Sequence, residues 1–526
     1  MGQVGAGLID CDVLVVGAGG AGLAAAVAAH DSGARVKVLE KAPRDAMGGN
    51  TRFSGGLFRA PYSSTKELMA IVGDADSPDG LEFEPYSSEQ FSEDIRRTTG
   101  DRADPALAAT LVDESYDSIR WLAALGVRFA FNRVIGTATT GGTDIRIPAG
   151  AALIAEGEGV GLTSALLKIV EARGIEVLYG VQAIEPAYGA GGVAGVRVRG
   201  YEQADAIAAR AVVMACGGFQ ASAAWRTAFL GTQFTNVKVR GSRFDTGEFL
   251  LASIAGGAQS FGDWGSAHVA PVDAASEAFG ELRTGHSTNR LSFPYSVMVD
   301  LDGHRFVDEG ADFNLFKYVH IGRALLIRRA SIAFQLFDAQ TQHLLEPRYG
   351  TGQPSASDSL DGLMEAIRAR HPEHRFESEA CRLTLDEYNA AVQPGPFAPD
   401  RLDGKRTRGL DPDKTNWAQR LEVPPFTAYA VTPGITFTFG GVRTDVEGRV
   451  LDDAGVPIKG FYAAGEAVGG FFSGSYPGGA SLSRNAVFGR IAGTAAARYS
   501  RTATAVAGTS GDGEGGPPGQ ARTQSS

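Results

Sequence analysis

Residues 11–40 read CDVLVVGAGGAGLAAAVAAHDSGARVKVLE, and their reading decides the fold. Cys11-Asp12-Val13-Leu14-Val15-Val16 is a short run rich in β-branched residues, the pattern of a buried parallel strand. The turn Gly17-Ala18-Gly19-Gly20-Ala21-Gly22 follows, and Leu23-Ala24-Ala25-Ala26-Val27-Ala28-Ala29-His30 then forms a helix that Gly33 stops. Arg35-Val36-Lys37-Val38-Leu39-Glu40 is a second strand, ending on an acid. A GxGxxG turn alone is weak evidence, but between strand and helix, with an acid closing the next strand, it is a complete dinucleotide fingerprint. Gly17 allows the tight turn, Gly19 lets a pyrophosphate approach the backbone, and Gly22 lets helix and strand pack. The helix N-terminus, at Gly20 and Ala21, faces the phosphates. Glu40 can accept from ribose hydroxyls.

Composition agrees with a large enzyme built around such a ligand. The 526 residues suggest two or three domains. Glycine, at 70 residues, is roughly 13 % against a usual ~7 %, with no Gly-X-Y period; in a folded enzyme this means backbone laid close along a large cofactor. The 49 basic and 60 acidic side chains leave a formal charge of -11, which argues against nucleic acid or an anionic membrane as partner. Cys11, Cys216 and Cys381 are too few and too scattered for a disulfide framework, a CxxC metal site or a haem attachment, so reduced thiols and no metal are expected. Residues 1–10 contain no Lys or Arg and lack the organisation of a signal peptide. The apolar run 13–29 is too short and broken to span a bilayer, so no membrane insertion and a cytoplasmic location are expected.

Along the chain, helices are expected near residues 104–125 and 161–173, and strands at 175–178, 193–199 and 211–215. From about 264 to 430 the character changes to mixed helix and strand, with most of the histidines and many aromatics. The reading is an α/β, Rossmann-type (GR2-like) dinucleotide domain over 1–263 and 431–500, interrupted by an inserted α+β capping domain over 264–430. A helix over 486–499 closes the fold, and the polar, glycine-rich segment 501–526 is expected to be disordered.

The first turn is followed by Lys41-Ala42-Pro43 and then by a second glycine-rich loop, Gly48-Gly49-Asn50-Thr51 with Ser54-Gly55-Gly56, which suggests a bulky ring system lying along the backbone. With these residues in view, the chain resembles the flavoproteins of the fumarate reductase and succinate dehydrogenase superfamily. The segments EKAP…GGNTRFSGG, MACGGF, TGE, GGVRTD, GFYAAGE and GGASLSRNAVFGR occur in that family's order. The resemblance implies FAD. It further implies that Ala215, Gly217 and Gly218 border the cofactor and that Gly465 and Glu466 meet the ribityl chain. On the same ground Ser481 and Leu482 offer amides to the isoalloxazine, and Gln182 and Ala183, after Val181, touch adenine. The histidine that bonds flavin covalently in succinate dehydrogenases has no counterpart, since none lies between His30 and His268; non-covalent FAD is expected.

The resemblance also names a reaction centre. His268 stands where fumarate reductases place a substrate-carboxylate histidine, and Thr438 matches a family threonine. The second family histidine falls at Phe437, the carboxylate-binding arginine at Tyr476, and the proton-donating arginine near Phe313 or Asn314, so fumarate is a poor substrate for this pattern. Ser475-Tyr476-Pro477-Gly478-Gly479 is instead similar to 3-ketosteroid and tricarballylate dehydrogenases, and overall similarity is closest to the latter, through RFVDEGADF, VTPGITFTFGG and GFYAAGEAVGG. In the ketosteroid enzymes the matching tyrosine and a nearby backbone amide, here that of Gly479, polarise the ketone. A neutral phenol aimed at developing negative charge suits that task. For the proton acceptor, the segment 316–323 offers Tyr318, His320 and Arg323, with His320 and Arg323 on one helical face. Arg59 and Arg290 could bind a carboxylate, but solvated surface positions are expected for both.

Three activities fit: an FAD-dependent dehydrogenase that desaturates a C–C bond beside a carbonyl or carboxyl group of a small acid, cyclic ketone or keto acid; an ene-reductase running the reverse reaction; and a non-redox flavoprotein. Loss of the arginines favours the first. No second nucleotide fingerprint and no haem or iron–sulfur ligands are evident, so electrons are expected to leave to oxygen, quinone or a redox protein.

Overall fold

The computed structural model describes residues 10–139, 145–189 and 191–509. Cys11–Val16 lies at the centre of a parallel sheet, flanked by Val36–Glu40 and Ala206–Met214. Glu176–Tyr179 extends the sheet beyond the second strand, and Pro457–Ala463 extends it beyond Ala206–Met214. Gln182–Gly189 and Gly192–Arg199 form an antiparallel hairpin attached to Ala206–Met214, and Arg449–Leu451 pairs antiparallel with Pro457–Ala463. Val13, Leu14 and Val15 are fully buried, as near-continuous apolar strands covered on both faces must be.

One cover of that sheet is the helix Gly20–Asp31, buried from Gly20 to Ala29. It crosses the helix Ala480–Thr509 almost backbone to backbone. A Cβ on Gly489 would stand 2.6 Å from the Ala21 carbonyl oxygen, and one on Gly493 would stand 2.2 Å from that of Ala25. The closing helix starts earlier than the expected residue 486, at Ala480, and its described span ends at Thr509. The remainder of the expected tail lies outside the described residues. Pro105–Leu125 forms as expected, with Asp104 accepting at the first turn from the Ala106 and Leu107 amides, and Gly126 at φ +109° ending it.

A second sheet contains Lys238–Val239, Ser260–Asp273, Val297–Asp300, Ala333–Phe337, Ser355–Ser357 and Phe426–Val442. Residues 264 and 430 both fall inside long strands, Ser260–Asp273 and Phe426–Val442, which pair antiparallel along their length. Composition changes there, but the backbone does not break, because two paired strands carry the chain across. The insertion has its own core around Phe334, Leu336, Ile367, Leu385 and Tyr388. The two long strands bulge between Asp263 and Ala267 and again after His268. Bulges of this kind re-aim side chains, and here they aim His268 into the space between the sheets.

Candidate active site

The cleft between the two sheets is lined by both glycine loops, the start of the Gln182–Gly189 strand and the Tyr476 turn. Gly17 sits at φ +105°, and a Cβ there would meet the Ala215 carbonyl oxygen at 2.4 Å; a Cβ on Gly22 would meet the Gly17 carbonyl oxygen at 1.9 Å. Those two glycines serve packing. At Gly19 the nearest atom to such a Cβ is 3.8 Å away, which leaves open space beside the helix N-terminus. Both oxygens of the buried Glu40 accept from backbone amides, Ala18 at 3.0 Å and Ala42 at 2.7 Å. Burial raises its pKa while those two amides oppose the shift. Lys41 on the same wall donates to Glu248 at 3.1 Å and to Thr246.

Gly49, Asn50, Thr51, Ser54 and Gly55 line the cleft, as do Gln182, Ala183, Ala215, Gly217, Ser481 and Leu482. The Gly20 amide donates to Thr51 Oγ1 at 3.0 Å, tying the two loops together. Gly48, Gly56 and Gly465 lie just behind the wall, at φ +111°, +70° and +72°, where they allow turns. Gly218 also lies behind it, since a Cβ there would reach Thr438 Oγ1 at 2.2 Å and Glu466 Oε1 at 2.3 Å.

Glu466 reaches the cleft as a buried carboxylate. It accepts from the Thr438 amide at 2.9 Å, the Thr438 hydroxyl at 3.2 Å and Gln220 Nε2 at 3.3 Å. The same Gln220 amide reaches Asp245 at 3.0 Å. Burial lifts the pKa of Glu466 to about 7; Asp245 is raised well above the usual carboxylate range by burial and by the charge of Glu466. Asp245 and Gln220 were not foreseen, although Asp245 precedes the TGE segment by one residue. Thr438, which matches a family threonine, donates its hydroxyl to Glu466.

On the insertion side, His268 stacks flat on Phe437 (centroids 5.0 Å apart, planes at 1°) and meets Tyr318 and Tyr476 edge-on at 5.0 and 5.3 Å. All four rings line the cleft. Both ring nitrogens of His268 are buried without a protein partner. Burial, then the charge of Arg240, hold its pKa well below the ordinary value, so the ring is neutral. Burial raises the pKa of both tyrosines, Tyr318 well above the usual phenol range, and so keeps each as a phenol donor. The Tyr476 turn is pinned from two sides. Asp263, on the bulge, accepts from the Ser473 hydroxyl at 2.7 Å and the Gly474 amide at 3.0 Å. Arg59 donates to the Gly478 carbonyl at 2.8 Å, and Gly478 donates to the Leu315 carbonyl at 3.3 Å. Gly479, at φ +92°, lines the cleft, and among the described residues its amide has no acceptor.

Four expectations are corrected. His320 and Arg323 do share a helix face, but that face is exposed and neither residue lines the cleft; the period that turns Tyr318 inward turns them outward. Arg59 and Arg290 are buried rather than solvated. Arg59 is held by Tyr86, Asp94 and two carbonyls, and Arg290 by Asp273 and three carbonyls. Besides the expected Lys41, two further cations line the cleft, Arg240 and Arg484; both were missed, as was His286. Arg484 lies inside a segment already singled out, and Arg240 stands shortly before the TGE segment. Of the cysteines, Cys216 lines the cleft, and burial pushes its thiol up to about 12. Among the described residues no group of three or more His, Cys, Asp or Glu side chains is placed to hold a metal ion, and no helix is long and apolar enough to cross a membrane.

These features fit a dinucleotide with a ring system. There is open space at Gly19 beside amides, an acid at the ribose position, and cleft-lining polar atoms left without partners on His268, Arg484 and Asn485. They define a flavin-nucleotide protein. The chain belongs to the FAD binding domain family, whose pattern matches residues 12–482, and it is an FAD-dependent oxidoreductase. It is 29 % identical over 498 residues to a fumarate reductase (cytochrome) of Shewanella frigidimarina, covering 93 % of this chain and 77 % of the relative. It is 27 % identical over 571 residues to the 4-oxocyclohexanecarboxylate 2-dehydrogenase of Sinomonas cyclohexanicum, covering 92 % of each. The fold superimposes on the 3-ketosteroid delta1-dehydrogenase of Sterolibacterium denitrificans with a TM-score of 0.69 at 18 % identity, covering 93 % of this chain and 99 % of that one.

Proposed function

We propose that this FAD-dependent CH–CH oxidoreductase desaturates a cyclic ketone or keto acid at the bond next to its carbonyl. The observation that carries the reading is the Tyr476 turn: a buried phenol and the open amide of Gly479 on one cleft wall, facing the neutral His268 and Tyr318. The substrate carbonyl oxygen accepts from Tyr476 Oη and Gly479 N, which stabilises enolate-like charge at the α-carbon. Tyr318 takes the α-proton in its phenolate form, which burial makes the minor one, so flavin reduction should quicken as pH rises. Gly17, Gly19, Glu40, Asn50, Thr51, Gln182, Glu466 and Ser481 would hold FAD non-covalently, and the bound flavin would supply a two-electron acceptor for the β-hydride. His268 stays neutral and shapes the aromatic wall, and an external acceptor, oxygen, quinone or a redox protein, regenerates the oxidised enzyme. The named substrate of the Sinomonas relative, a ring ketone, supports this choice.

A reductase is the second reading. The fumarate reductase relative and the retained His268 favour it, while aromatic residues at Phe437 and Tyr476 in place of the family's histidine and arginine oppose it. The test is anaerobic titration of the purified yellow protein with saturated cyclic ketones, keto acids and tricarballylate. Bleaching of the flavin band by a ketone or keto acid is expected. A flavin that none of them bleaches, but NAD(P)H does, would replace this proposal with the reductase.

A further inference from the structure

The arginines near the cleft differ in what neutralises them. Arg290 is matched by Asp273, Arg348 by Glu346 at 3.2 Å, and Arg59 by Asp94 at 3.2 Å. Arg484 faces Glu466 electrostatically and lies over the Phe437, Phe471 and Phe472 rings. Arg240 is the exception: among the described residues it forms no ion pair. Its partners are neutral oxygens, Thr436 Oγ1 at 3.1 Å from Nε and 2.8 Å from Nη2, and the Phe53 carbonyl at 3.4 Å from Nη1. A guanidinium has five N–H donors; these three bonds leave one on each Nη. Two neighbouring free donors match a carboxylate in bidentate geometry.

The backbone places this group beside the reaction centre. Thr436, which holds the guanidinium, is the neighbour of Phe437, on which His268 stacks. The positive charge acts on His268, Tyr318 and Tyr476. Arg240 also lines a second, smaller cavity with Lys238 and Arg283, in which Glu277 and Glu281 are the acids. It is the residue common to both cavities and so stands where a small anion can reach it from either side.

We propose that Arg240 is a substrate-binding residue that takes a carboxylate of the substrate at the far end from Tyr476, so that the enzyme selects keto acids over neutral ketones. The inference rests on the dehydrogenase reading above and adds the second point of attachment. The family arginines absent at Tyr476 and near Phe313 or Asn314 do not deprive the cleft of an anion site; it has one in another place.

The test uses the FAD-loaded full chain with Arg240→Gln and Arg240→Lys. Two probes are compared, cyclohexanone and a cyclohexanone carrying a ring carboxylate, by anaerobic flavin reduction. The preference of the wild type for the carboxylated ketone should fall roughly 10- to 100-fold in the Gln variant, the loss expected for a hydrogen-bonded charge pair, and recover in part in the Lys variant. An unchanged preference overturns the proposal. So does a shift in flavin midpoint potential with no loss of preference, which would assign Arg240 to the reduced cofactor. Cyclohexanecarboxylate, which has no ketone to polarise, gives a readout without turnover: it should perturb the oxidised flavin spectrum in wild type and not in Arg240→Gln. If neither ketone bleaches the wild type while this acid binds through Arg240, the dehydrogenase reading fails and the anion site stands; if the acid perturbs both proteins equally, the anion site fails.

Discussion

Tyr476 is a phenol where a guanidinium would recognise a dicarboxylate, and that exchange sets the chemistry available to the cleft. A buried phenol donates one neutral hydrogen bond, which is worth most when the acceptor gains charge on the way to the transition state. Tyr476→Phe should therefore retain the yellow cofactor and slow flavin reduction by about 100- to 1000-fold, as for loss of one oxyanion donor. Rapid-scan absorbance during anaerobic mixing with a reactive ketone reads this directly, and full-rate reduction would remove Tyr476 from the mechanism. Glu466 makes a different prediction. Burial lifts its pKa to about 7, against the opposing Thr438 amide, so the ligand-free protein takes up a proton there as pH falls below 7. With the ribityl chain at Glu466 as proposed, its hydroxyls would donate to the carboxylate and not to the protonated acid's O–H, so bound flavin should favour the ionised form and lower that pKa. Binding then releases a proton, and affinity should be flat above pH 7 and weaken by up to roughly tenfold per unit below it. Flavin fluorescence titration from pH 5.5 to 8 should show this slope in wild type and lose it in Glu466→Gln. An equal slope in both would place the titrating group elsewhere, with Asp245 the first to examine.

At the scale of elements, the nucleotide half depends on how closely glycines let backbone meet backbone. Gly493 brings the closing helix against Gly20–Asp31 so tightly that an added methyl would stand 2.2 Å from the Ala25 carbonyl oxygen. Ala is the better helix former by ~1 kcal/mol, but the obstructing atom is buried backbone and cannot rotate away. The clash prevails, and Gly493→Ala should destabilise by about 1–3 kcal/mol, the usual range for overpacking. A thermal melt checks the sign, and a rise in Tm would mean the helices can separate without loss. This half was largely legible in the sequence, since strand–turn–helix–strand, the second glycine loop and the acid at Glu40 are local patterns whose spacing carries their geometry. The reaction centre was legible only in part. Tyr476, Tyr318 and His268 were found through resemblance, and their rings meet in the cleft. Arg240 was missed because its importance comes from what it lacks, an acidic partner, and pairing across two sheets leaves no local pattern. His320 and Arg323 were misplaced because the segment's apolar periodicity, not its polar residues, decides which face of a helix turns inward.

Over the whole molecule, the described residues hold two large hydrophobic cores and a small cluster at Leu57, Ile135 and Leu315; the strand Phe426–Val442 runs from the smaller core, at Phe426 and Ala428, into the larger from Val431 onward, and Phe437 on it lines the cleft. The larger core includes residues beside the nucleotide-binding loops as well as Tyr318 and Tyr476; the smaller, around Phe334, Leu385 and Tyr388, shares no residue with the cleft lining. Damage to the smaller core should therefore be felt first by the insertion and only secondarily by the cofactor. Leu385 is fully buried there, and truncation to alanine removes its transfer free energy and leaves a cavity, a loss of about 2–5 kcal/mol. In Leu385→Ala, far-UV circular dichroism should register an early transition as the insertion loosens, while FAD release, followed by flavin fluorescence, should keep a midpoint closer to that of wild type. Flavin reduction should decline with the first transition, because His268 and Phe437 sit on the strands that the insertion braces. If circular dichroism and flavin release shift together, the two cores unfold as one cooperative unit, and the crossing strands transmit stability as well as position.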